Sequence, residues 1–152
     1  MRVLQINAVK TQGSTGGNII EIAEYLSSNG HESFIAVSTG GDSREDYQIG
    51  TPFEVKLHGL FSRLLGTQAY FSIRGTKGLL EYIDEIKPDV VHLNNLHGNY
   101  INLEILLKYL GSNNIPTIIT LHDCWFYTGK CCHYTVDNCN KWQHGCGGCP
   151  IL

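Results

Sequence analysis

Apolar positions along this chain change period several times, and each change marks an element. Residues 2–7, "RVLQIN", alternate apolar and polar side chains as a strand does, and the polar, glycine-rich "TQGSTGG" follows at once. In "NIIEIAEYLSSNGHE", Ile19, Ile20, Ile22, Ala23 and Leu26 recur at helical spacing, and Gly30 stops the helix after Asn29. "SFIAVST" reads as a second strand, "GGDSREDYQIGTP" as a polar loop and "FEVKLHG" as a third strand. "LFSRLLGTQAYFSIRG" is helical only in part, being broken by Gly66, whereas "TKGLLEYIDEIKPD" sets Leu79, Leu80, Ile83 and Ile86 in one stripe that Pro88 ends. "VVHLNN" and "PTIITLHD" are short apolar runs of the kind that form buried strands, and "NLEILLKYLGSNN" between them is a helix that stops near Gly111.

Strands alternating with helices predict a mainly parallel sheet, because parallel neighbours need crossover connections and the connections here are helical. The expected class is α/β, a Rossmann-like layered fold with helices on both faces, followed by a cysteine-rich loop knuckle over residues 124–150. The chain has 152 residues, the length of one ordinary domain. Its 42% hydrophobic and 16% charged residues are those of a globular protein, and a net charge of −3 offers no basic surface for a nucleic acid backbone. "MRVLQINAVK" lacks the continuous apolar stretch of a signal peptide, and no run is long enough for a membrane span, so the expected location is cytoplasmic.

Ligands of a doubly wound sheet bind outside the carboxyl ends of its strands. "NAVKTQGSTGGN" follows the first strand, where Gly16 and Gly17 would let backbone approach a phosphate at a helix N-terminus and Asn18 begins the helix. The spacing is not that of a dinucleotide fingerprint. Two later strands end in polar groups: His92, Asn94, Asn95 and His97 in one, His122 and Asp123 in the other. His122 is a candidate for proton transfer, with Asp123 beside it. His92, earlier in its strand, reads as a histidine satisfied within the fold.

All six cysteines fall within residues 124–149. In a reducing compartment such a cluster reads first as a metal site. "CGGC" can grip one tetrahedral Zn²⁺ with two thiolates, and Cys131, Cys139, Cys146 and Cys149 form the preferred structural set, with Cys132 or His133 as substitutes. Packed, unliganded thiols and thiol redox chemistry are the competing readings.

"KPDVVHLNNLHGNYINLEILLKYL", "IPTIITLHDCWFYTGKC" and "CNKWQHGCGGCP" together resemble the N-terminal domain of bacterial family 4 glycosyltransferases, above all the subgroup associated with capsular and other surface polysaccharides. The resemblance implies a two-domain GT-B enzyme that transfers a sugar from a nucleotide-sugar donor to a saccharide or lipid-linked acceptor, the first domain mainly binding acceptor. It implies that Gly16 and Gly17 belong to the loop near the donor diphosphate and that His122 is the cleft histidine near the transferred sugar. It also implies a second domain, with a pair of glutamates, missing beyond Leu152, so that residues 1–152 alone are expected to be inactive. Lipid-linked acceptors would bring the enzyme to the inner face of the membrane, although the sequence shows no strongly basic amphipathic helix. The alternative is a zinc-binding interaction module without catalytic activity.

Overall fold

The structure, a computed structural model, describes residues 1–42, 44–129 and 131–145. It divides into two units, Met1–His122 and Asp123–Leu152. The first holds five strands, β1 (Arg2–Val9), β2 (Glu32–Thr39), β3 (Tyr47–Gln48), β4 (Val90–Leu93) and β5 (Thr117–Ile119), in the order β3-β2-β1-β4-β5. Every pairing is parallel, as the alternation of strands and helices predicted.

β1 lies at the centre, and Leu4, Gln5, Ile6 and Asn7 are fully buried there. Helix α1 (Gly13–Ser28) crosses from β1 to β2, packing Ile19 and Ala23 on Ile35 and Val37. Gln5 Nε2 donates to Ile19 O at 2.9 Å, a buried polar tie between strand and helix. Right-handed crossovers to opposite sides of β1 put α1 on one face of the sheet and α4 (Leu103–Ser112), which joins β4 to β5, on the other. α3 (Ile73–Ile86) packs beside α4 and buries Leu79, Ile83 and Ile86, the stripe read from the sequence.

Three expectations need correction. "FEVKLHG" is not a strand but the beginning of α2 (Pro52–Leu65). Its strict alternation mimics a strand, yet Thr51 Oγ1 accepts from Glu54 N at 3.2 Å while Glu54 Oε2 accepts from Thr51 N at 3.0 Å. This reciprocal cap, with Pro52 at the first helical position, starts a helix that Gly66 ends at φ +69°. β5 is not buried: it pairs with β4 alone as the edge strand, and Ile118 is 57% exposed. Finally, α1 begins at Gly13, so Gly16 and Gly17 lie inside the helix rather than in a loop before it.

His58 of α2 is buried, its Nδ1 2.7 Å from Ser72 Oγ and its ring edge-on to Phe71 at 5.3 Å. Burial lowers its pKa from 6.5 to about 4.

The two neighbouring glycines of α1 should respond oppositely to a methyl group. A Cβ at Gly16 would lie 2.4 Å from Lys10 O and 2.9 Å from Lys10 C, whereas at Gly17 it would meet nothing within 4 Å. We expect Gly16→Ala to destabilise the fold by about 2 kcal/mol or more in urea unfolding. Gly17→Ala should be neutral or stabilising by up to about 1 kcal/mol, and equal losses at both positions would contradict the packing. His58 supplies a pH dependence. Because its folded pKa is depressed, its contribution is complete above about pH 6.5 and is lost as pH falls toward about 4, where the unfolded chain binds the proton first. The urea midpoint should therefore fall more steeply across that window in the wild type than in His58→Gln; parallel slopes would show that His58 is not held neutral.

Candidate functional site

The strand order reverses between β1 and β4: the chain leaves β1 toward β2 and leaves β4 toward β5. Connections after these two strands run apart, the arrangement that in doubly wound sheets makes a crevice at the carboxyl ends of the strands. On the β1 side stands the first turn of α1. Gln12 precedes it in an extended conformation without a side-chain cap, and no acidic residue lies in the turn. The amides of Gly13, Ser14 and Thr15 therefore have no intrahelical acceptor, and they sit at the positive end of the helix dipole. Gly17 and Asn18 are exposed one turn further along, while Gly16 is buried against Lys10. Lys10 itself is engaged: its Nζ lies 2.9 and 2.7 Å from the two carboxylate oxygens of Asp46, whose side chain is 3% exposed. This connection thus presents backbone N–H groups rather than a free ammonium.

On the β4 side, residues 94–102 form a loop held by hydrogen bonds. Asn95 N donates to Asn7 Oδ1 at 3.0 Å, His97 N to Asn95 Oδ1 at 3.1 Å, and the Tyr100 hydroxyl to Asn95 O at 2.8 Å. Asn95 is therefore occupied in shaping the loop, and the half-buried His97 is carried on the turn it makes. Tyr100 is buried, which pushes its phenol pKa up and keeps it a hydrogen-bond donor. Asn7, Tyr100 and Thr120 were not singled out in the sequence; a carboxamide closing an otherwise apolar central strand was the signal available for Asn7.

The structure brings two predicted residues together across β4 and the segment after β5: His122 Nε2 lies 3.4 Å from Asn94 Oδ1. An Nε2–H there donates to the carboxamide and leaves Nδ1 with a lone pair, for which no protein partner exists among the described residues. Asn94 is buried, and its Nδ2 also lacks a partner among them. His92 instead meets Thr120 Oγ1 through Nε2 at 2.8 Å, and its pKa is lowered by burial first and by the charge of His122 second. His92 is a neutral, satisfied histidine of the strand pair.

Asp123 begins the second unit. Its Oδ1 accepts from Trp125 N at 2.8 Å, at the start of the one-turn helix α5 (Trp125–Thr128). Within the knuckle, Tyr127, Tyr134 and Trp142 form an aromatic trio with centroids 5.3 to 6.3 Å apart. Cys124 N donates to Cys132 O at 2.9 Å, and Cys124, Cys131, Cys132 and Cys139 are each half-buried. Burial, then the Asp123 carboxylate, push the Cys132 thiol up to about 11, opposite to the low pKa of a redox nucleophile. Of the predicted zinc set, Cys146 and Cys149 lie outside the described residues. Among the described residues of this unit, no three potential ligands converge on one point.

Residues 18–144 match the family model for Glycosyltransferase Family 4. Over its whole length the chain is 26% identical, across 173 aligned positions, to WcaC of Escherichia coli strain K12, a protein named as a glycosyl transferase of colanic acid biosynthesis. It spans 40% of that protein's length. Two solved glycosyltransferases are also similar: VinC, in complex with dTDP (16% identity, TM-score 0.46, 77% of this chain and 33% of that one), and SsfS6 of Streptomyces sp. SF2575 (18%, 0.45, 82% and 41%). With the family match extending over most of its residues, the chain belongs to glycosyltransferase family 4.

Proposed function

We propose that this chain is the acceptor-side half of a retaining glycosyltransferase, which takes a sugar from a nucleotide-sugar donor and passes it to a hydroxyl of a saccharide or lipid-linked acceptor at the cytoplasmic face of the membrane. The observation that carries this reading is the switch-point crevice of a family 4 chain, with His122 held on Asn94 and its second ring nitrogen left for a ligand. Because the chain spans 40% of WcaC, the remaining donor contacts and the glutamate pair are assigned to a second domain beyond Leu152.

The chemistry makes two demands. Negative charge grows on the nucleoside diphosphate as the glycosidic bond to it breaks, and preorganised N–H donors are the main means of stabilising it. The uncapped first turn of α1 is suited to that task, by amide donation and by the helix dipole. The transferred sugar must also be oriented, and His122 offers its second ring nitrogen to a sugar hydroxyl while Asn94 fixes the ring. For the competing zinc-binding module, no three potential ligands converge within the described residues of the second unit.

In the enzyme carrying both domains, His122→Ala should lower sugar transfer by about a hundredfold or more while leaving the urea midpoint within error. Transfer would be followed as label moving from nucleotide sugar to an extracted acceptor. Unchanged turnover would remove His122 from the site, and a wild-type enzyme that transfers from no nucleotide sugar would overturn the transferase reading.

A further inference from the structure

His122 leaves the edge of the sheet with few anchors of its own. β5 is three residues long and has one neighbouring strand, and its pairing runs out at Thr120 N, which donates to Leu93 O at 2.9 Å. Past that bond, neither Leu121 nor His122 makes a backbone–backbone hydrogen bond among the described residues. The contact of the ring itself, Nε2 to Asn94 Oδ1 at 3.4 Å, is long against the roughly 2.9–3.0 Å of a well-made N–H···O bond. One long bond at the end of an unpaired segment is a weak hold on an imidazole.

The strand register supplies a second anchor. His92 stands opposite Ile118 and Leu93 opposite Ile119, so Asn94 continues the series opposite Thr120. Side chains two residues apart share a face, which sets His92 and Asn94 beside Thr120 and His122. The bonds between them run diagonally and in step: His92 Nε2 to Thr120 Oγ1 at 2.8 Å, then His122 Nε2 to Asn94 Oδ1. The first rung is the shorter, and both of its residues are half-buried. A threonine hydroxyl donates and accepts, so this rung holds whichever ring nitrogen of His92 carries the proton. The charge of His122 is felt at His92, which agrees with two rings lying close on one face. We propose that His92 and Thr120 are positioning residues for His122: their rung pins the chain two residues before the histidine, and Asn94 then orients the ring. The consequence for sugar transfer rests on the transferase reading above, whereas the anchoring itself is read without donor or acceptor.

The test has one arm for each. In the 152-residue chain, a nuclear Overhauser contact between the Asn94 side-chain amide and the His122 ring is expected in the wild type. Thr120→Val keeps the shape and removes the hydroxyl, and His92→Phe keeps a ring and removes the nitrogens; each should abolish the contact, and Thr120→Ser should retain it. In the enzyme carrying both domains, Thr120→Val and His92→Phe should each lower kcat about tenfold or more with little change in donor KM. Thr120→Ser should restore kcat, and the double variant should be no worse than either single one, because both remove the same rung. A contact that survives both Thr120→Val and His92→Phe would overturn the proposal, as would losses that add in the double variant. A lost contact with unchanged transfer would uphold the anchor and count against the role of His122 in transfer.

Discussion

The carboxamide of Asn7, fully buried at the end of the central strand, donates to Val9 O at 2.7 Å and accepts from Asn95 N at 3.0 Å, and so ties together the two strand ends between which the sheet reverses its direction. Each of these backbone groups would otherwise be left unpaired beside the crevice, at a cost of about 1–3 kcal/mol apiece if buried. The bond also sets the start of the loop that follows β4. From Asn95 the loop continues through its own side-chain and backbone contacts to His97 and Tyr100, and Asn94, one residue earlier, is held where it meets His122. The geometry of the candidate site thus follows from one polar side chain in an apolar strand.

The same loop is also tied to the segment that follows α2. Asn102, which caps α4 by accepting from Ile105 N, donates through Nδ2 to Tyr70 O at 2.5 Å, while its own N–H donates to Thr76 Oγ1 at 2.8 Å. Leu103 N donates to Ala69 O at 2.8 Å, and Ser72 Oγ to Asn99 O at 3.4 Å. The segment after α2, with its exposed Tyr70 and Ile73, is therefore hydrogen-bonded to the far end of the crevice loop. No helix among the described residues is long and apolar enough to cross a membrane.

Much of this was legible in the sequence because central elements obey their hydrophobic period. α3 shows its buried stripe at Leu79, Ile83 and Ile86, and β1 and β4 read as strands because both are flanked by neighbours that bury them. The failures share a cause: they lie where burial does not follow hydrophobicity. α2 turns Phe53, Leu57 and Leu60 to solvent, so the run "FEVKL" carried a misleading strand alternation, and only the Thr51–Glu54 cap with Pro52 announced a helix. β5 has apolar residues but one neighbour, so "PTIIT" looked buried and is not. Gly16 and Gly17 suggested a loop, whereas the first glycine serves close packing on Lys10 within the helix. At the site, strand-end residues Asn94, Asn95, His97 and His122 could be named from topology, but the pairing of His122 with Asn94 and the bridging role of Asn7 depend on side-chain distances that no spacing encodes.

If ligands enter at the β1–β4 switch point, titrating the ¹⁵N-labelled chain with a nucleoside diphosphate should shift backbone amide resonances at residues 12–18 and 94–99 and at His122, with α2 unaffected. Shifts confined to other parts of the sheet, or none at millimolar nucleotide, would contradict it.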